Sequence, residues 1–144
     1  MGSKIVVAYD GSDSGKRAVD FAVNLAKSQG SSLVVAHVLE WSPYSFLTPT
    51  EIEERHTRRK EELARANDAL IAPLIASLEG SGLEISSSIK YGHIAETLCT
   101  IATESGASQV VIGRTGHSNM SARLFGSVAT SLAQASPVPV TVVP

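Results

Sequence analysis

The sequence predicts an α/β fold, a single doubly wound parallel sheet of five strands flanked by helices. Three observations carry this. Short β-branched apolar runs, of the kind buried on both faces of a parallel sheet, recur along the chain. Between them lie segments with apolar residues at three- and four-residue spacing, and the resulting order is β-α-β-α-β-α-β-α-β. Right-handed crossovers then place helices on both faces. The 144 residues, 43% of them hydrophobic and 18% charged, match one ordinary domain spanning 1–144.

The first strand is Ile5-Val6-Val7-Ala8-Tyr9, ended by the turn-forming Asp10-Gly11-Ser12. A helix follows through Ala18, Phe21, Ala22, Leu25 and Ala26, with Ser12, Asp13 or Ser14 as its cap and Gly30 as its stop. Residues 33–38 repeat the buried-strand pattern. An irregular aromatic stretch with Trp41, Tyr44 and Phe46 leads to Thr48-Pro49-Thr50-Glu51, a capping box with proline at the first helical position. The long helix that it opens is highly charged at first. It then shows an apolar stripe of Leu63, Ala66, Leu70, Ile71, Leu74, Ile75 and Leu78, with a kink expected at Pro73.

Gly80-Ser81-Gly82 ends that helix, and residues 83–90 alternate like a half-exposed strand. After Gly92 comes a helix carrying Ile94, Leu98, Ile101 and Ala102, closed by Gly106. Val110-Val111-Ile112 form a fourth strand, residues 127–135 a fourth helix and 138–143 a fifth strand after Pro137. Ligands of such sheets bind beyond the carboxyl ends of the strands where strand order reverses, which singles out the loops after strands one, two and four.

Composition excludes several classes. A net charge of −2 supplies no basic field for nucleic acid. Cys99 is the only cysteine, so no intrachain disulfide is possible, and its place in an apolar stretch predicts a small core residue. No apolar run approaches the ~18 residues of a membrane span, and no export signal is read, so a cytoplasmic protein without membrane insertion is expected. His37, His56 and His93 are dispersed, without metal-ligand spacing. Gly11-Ser12-Asp13-Ser14-Gly15-Lys16-Arg17 imitates a P-loop. It has one residue too few between its glycines, and arginine stands where a hydroxyl must reach the metal, so it is read as a helix N-terminus.

The chemistry concentrates in residues 113–127. Glycines let backbone approach an anion, hydroxyls add donors, and the following helix turns free amides and its positive dipole end toward the site. Two residues separate Gly113 from Gly116, nine separate Gly116 from Gly126, and Ser127 follows. This spacing resembles the Gly-2x-Gly-9x-Gly-Ser/Thr signature of ATP-binding universal stress proteins. The resemblance extends over nearly the whole chain, through Asp10 at the end of the first strand, Ala36-His37-Val38 at the end of the second and the Pro137-Val138-Pro139-Val140 finish.

The resemblance implies a Rossmann-like fold of the adenine-nucleotide α-hydrolase type, with ATP across strands one, two and four. Residue by residue, it implies Gly113 and Gly116 along the ribose and phosphates, and Gly126, Ser127 and Val128 at the phosphates from the helix start. It places the Val38 backbone at adenine. Arg114, Thr115 and His117 are candidate phosphate contacts within the loop, and Arg123 could pair there too. Asp10 has two readings, a cap for its own turn or a contact at the adenosine end that also assists a Mg²⁺ or Mn²⁺ held mainly by the phosphates. The implied role is nucleotide-dependent regulation in a stress response, acting on an unidentified protein partner. A slow ATPase or phosphoryl-transfer enzyme is the alternative, and a flavin module a third class. Pairing of the last strand with its twofold mate implies a homodimer, which the aromatic loop could extend to a tetramer.

Overall fold

The computed structural model describes residues 3–40, 49–115 and 127–144, with the backbone alone at Ile52 and Arg55. Five strands, β1 (Lys4–Ala8), β2 (Ser32–Glu40), β3 (Ile85–Gly92), β4 (Ala107–Gly113) and β5 (Val140–Val143), form one sheet in the order β3-β2-β1-β4-β5. Every pairing is parallel. The helices are α1 (Asp13–Gln29), α2 (Pro49–Ala66), α3 (Ala72–Ser77), α4 (Ile94–Ser105) and α5 (Ser127–Ala135).

Period-two alternation divides the core. Ile5, Val7, Leu33, Val35, Val111 and Val143 face α1 and α3 in one apolar cluster. Val6, Val34, Ala36, Val110 and Ile112 face α4 and α5 in the other. Each strand of the middle of the sheet is therefore buried on both sides, as its apolar run requires.

Ser12 is the residue that caps α1, its hydroxyl accepting from the Gly15 amide at 3.0 Å. Gly30 and Gly106 close α1 and α4 in the left-handed conformation, at φ 66° and 69°, where glycine costs least. Lys16, the lysine of the false P-loop, lies at the surface and pairs with Asp20 one turn on.

Several boundaries and one burial expectation need correction. The long helix is irregular just before Pro73, where the sequence placed a kink. A π turn over Asn67–Ile71 lies there, and Pro73, which has no N–H to give the preceding turn, follows at the start of α3. Helix α3 ends at Ser77, short of the glycines, and β3 runs Ile85–Gly92 rather than 83–90. Cys99 is partly exposed on α4 rather than a core residue. The capping-box residue Thr48 and the aromatics Trp41, Tyr44 and Phe46 lie outside the described residues.

The two edges of the sheet differ. Strand β3 presents Ser86, Ser87 and Ser88, and its end is covered by α2, where Tyr91 donates to Glu62 and Arg59 stacks 5.3 Å from the ring. Strand β5 is Val-Thr-Val-Val. No helix among the described residues is long and apolar enough to cross a membrane.

Candidate functional site

Chain order reverses at β1, because β2 and β3 lie to one side of it and β4 and β5 to the other. At the carboxyl ends of β1, β2 and β4 the structure has a cleft of about 450 Å³. The ends of β1 and β2 supply Asp10, His37 and Val38; β4 and its loop supply Gly113, Arg114 and Thr115; α5 supplies Ser127 and Val128. Seven of the predicted site residues, scattered over 119 positions of sequence from Asp10 to Val128, thus meet at one opening with His37 beside them. Gly116, His117 and Gly126, and also Arg123, lie outside the described residues.

The floor is apolar. Ala8, Ala36, Ile94, Leu98, Ile112 and Ala129 line it as the upper margin of the second core cluster. Strand β2 outruns β1, whose last register partner is Ala8 with Ala36. The Tyr9 amide donates to the Ala36 carbonyl at 2.9 Å, so Ala36 turns its backbone groups toward β1. Two residues on, Val38 turns its N–H and carbonyl the same way, beyond the point where β1 has stopped. An apolar slot with one backbone donor and acceptor at its wall suits the edge of a planar heterocycle.

At the opposite wall the first turn of α5 brings amides that have no partner inside the helix, together with the Ser127 hydroxyl and the positive end of the helix dipole. Arg114 is exposed at the rim, its own amide donating to the Val143 carbonyl at 2.8 Å. These groups are suited to an anion.

Asp10 lies between the two walls. Its Oδ1 accepts from the Ser12 amide at 2.9 Å and from the Ser12 hydroxyl at 2.5 Å, so the turn-capping role is visible, while the residue also lines the cleft. Gly15 stands so close behind it that a Cβ there would come within 2.8 Å of Asp10 Oδ1.

Gly113 proves to be a packing glycine as well as a lining one. A Cβ on it would overlap the Ser14 hydroxyl and lie 2.8 Å from the Ser14 carbonyl oxygen. The buried Ser14 hydroxyl also accepts from the Thr115 amide at 3.3 Å, tying the loop after β4 to the start of α1.

Sequence reasoning named Ser14 only as a possible helix cap and gave His37 no role at the site. The His37 ring, 8% exposed, donates from Nδ1 to the Tyr9 carbonyl at 2.8 Å and so anchors the segment just before Asp10. Its position at the carboxyl end of a buried strand beside the switch point was the available signal. Among the described residues no group of three or more His, Cys, Asp or Glu could hold a metal ion.

The universal stress protein family model matches residues 1–144. The chain belongs to the universal stress protein family. The universal stress protein YxiE of Bacillus subtilis is 30% identical over 152 aligned residues, covering 99% of each chain. A solved universal stress protein in complex with cAMP is similar at 27% identity and a TM-score of 0.63, covering 99% of this chain and 97% of that one. Another, from Archaeoglobus fulgidus in complex with dAMP, is similar at 26% identity and a TM-score of 0.64, covering 99% and 98%. The five-stranded parallel sheet is thus shared with universal stress proteins, some of them crystallised with an adenine nucleotide.

Proposed function

We propose that this universal stress protein binds ATP in the switch-point cleft and acts as a nucleotide-dependent regulator rather than as an efficient enzyme. The observation that carries the reading is the polarity of the cleft. One wall is an apolar slot ending at the Val38 backbone, and the other is a helix start suited to anions. A purine with a polyphosphate has the same polarity. The cAMP and dAMP complexes of similar proteins support the adenine end. The Gly113, Gly116 and Gly126 spacing with Ser127 supports the phosphate end.

In this reading the Val38 N–H and carbonyl meet adenine, Asp10 meets the adenosine, and Gly113, Arg114, Thr115, Gly116, His117, Gly126, Ser127 and Val128 surround the phosphates. A Mg²⁺ or Mn²⁺ would be held mainly by phosphate oxygens and would neutralise their charge, with Asp10 near enough in the turn to assist. The protein is cytoplasmic and forms a homodimer through β5, through which nucleotide state is passed to a protein partner.

Adenine read by backbone groups predicts preference for ATP over GTP. Calorimetric titration with both nucleotides tests it, and equal affinities would sink the adenine assignment. Mass spectrometry of the small molecules released on denaturing the purified protein gives a second, independent check. Turnover of stoichiometric ATP against the uncatalysed background separates a binder from an ATPase.

A further inference from the structure

The π turn at Asn67–Ile71 is the one departure from regular helix between α2 and α3. A π turn is wider than an α turn, so successive side chains are separated by a smaller angle, and such turns occur often at functional sites. Here two adjacent apolar side chains both reach the body of the protein. Ile71 is wholly buried in the first core cluster, and Leu70 packs at the margin of the same cluster.

What Leu70 covers is Gly11. A Cβ at Gly11 would lie 2.9 Å from Leu70 Cδ2, so the leucine methyl rests against this residue, whose φ of +84° is what favours glycine there. Gly11 is the middle of the turn in which Asp10 Oδ1 accepts from the Ser12 amide and hydroxyl. On its outer side Gly11 is exposed. The turn is therefore held from within by Asp10 and Ser12 and from one side by Leu70.

We propose that Leu70, delivered by the π turn, is a positioning residue that fixes the Asp10-Gly11-Ser12 turn and with it the Asp10 carboxylate at the cleft. This rests on the nucleotide reading above for its purpose, though not for its geometry.

Amide hydrogen exchange on the full chain without nucleotide tests the geometry. In Leu70→Ala the Ser12 amide should exchange about tenfold faster relative to the amides of β1. Leu70→Met, which keeps the reach, should restore it, and Leu70→Val should give a smaller rise in the same direction. Leu74→Ala removes a buried side chain of the same cluster away from Gly11 and should leave the Ser12-to-β1 ratio unchanged. ATP affinity should follow the same ranking, falling about tenfold in Leu70→Ala and little in Leu74→Ala.

Unchanged Ser12 exchange in folded Leu70→Ala would overturn the proposal. So would faster exchange with wild-type ATP affinity, because Asp10 would then not be what the turn positions. If the wild type bound no adenine nucleotide, the reading of the cleft would fail, while the exchange ratios would still decide whether Leu70 holds the turn.

Discussion

Glycine 113 shows how a single missing side chain can serve two purposes. Read as part of a phosphate loop, it needed to be small for a ligand. In the structure its smallness is already required by the backbone of Ser14. Gly113→Ala should therefore destabilise the fold itself by about 1–3 kcal/mol, in the range of overpacked cores, as thermal denaturation would show. Adding Ser14→Ala should recover only part of this, since the clash with the Ser14 carbonyl remains. Ser127→Ala makes the opposite case. The residue is exposed at the start of α5, so stability should hardly change, while ATP affinity should fall by about 1–2 kcal/mol with the loss of one hydroxyl to a charged phosphate. Burial pushes the Cys99 thiol up, a backbone hydrogen bond pulls the other way, and the Glu96 charge adds to the rise. Alkylation requires the thiolate, so at pH 8 Cys99 should react with iodoacetamide more slowly than free cysteine does, and the gap should narrow as pH rises. Equal rates at pH 8 would contradict that direction.

At the scale of elements, what could be read from sequence is what has a period. Strands β1, β2 and β4 are β-branched runs, and α1 and α4 are amphipathic with glycine stops, so their existence and order were plain. The π turn was not. The apolar stripe from Leu63 to Leu78 satisfies a regular helix well enough, and Pro73 marked the neighbourhood of the irregularity but not its form. In the structure the π turn serves two surfaces at once, the core with Ile71 and Gly11 with Leu70, and that arrangement is tertiary. The same limit applied to the site. Asp10, Val38 and the glycine loop were legible from spacing and resemblance, whereas His37 and Ser14 act by bonds to Tyr9 and Thr115, 28 and 101 positions away. His37→Ala should loosen the Tyr9 carbonyl and weaken ATP binding several-fold, with His37→Gln, which retains a donor, intermediate; calorimetry on the two variants decides it.

On the scale of the whole molecule, the cleft is an opening onto the second core cluster, not a groove on a finished surface. Ala36, Leu98, Ile112 and Ala129 belong to both. A nucleotide seated there would bury core surface and, as a ligand of the native state alone, should raise stability by mass action, about 2.7 kcal/mol at a hundredfold excess over Kd. A melting temperature that failed to rise with ATP concentration would show that the native protein does not bind it.

The unlike edges of the sheet bear on how many copies can join. Growth of a fibre needs two adhesive ends on every unit, so that each arrival leaves a new end behind. Here one edge is polar, with Ser86 and Ser87 exposed and the Tyr91 end covered by α2, while the other is Val-Thr-Val-Val over Val140–Val143. Two copies joined valine edge to valine edge would leave outward only the polar β3 edges, each with its end under α2. Light scattering should then find a particle of fixed mass over a wide concentration range, and removing the cover, by Tyr91→Val with Arg59→Leu, should turn a protein that terminates its own assembly into one that polymerises.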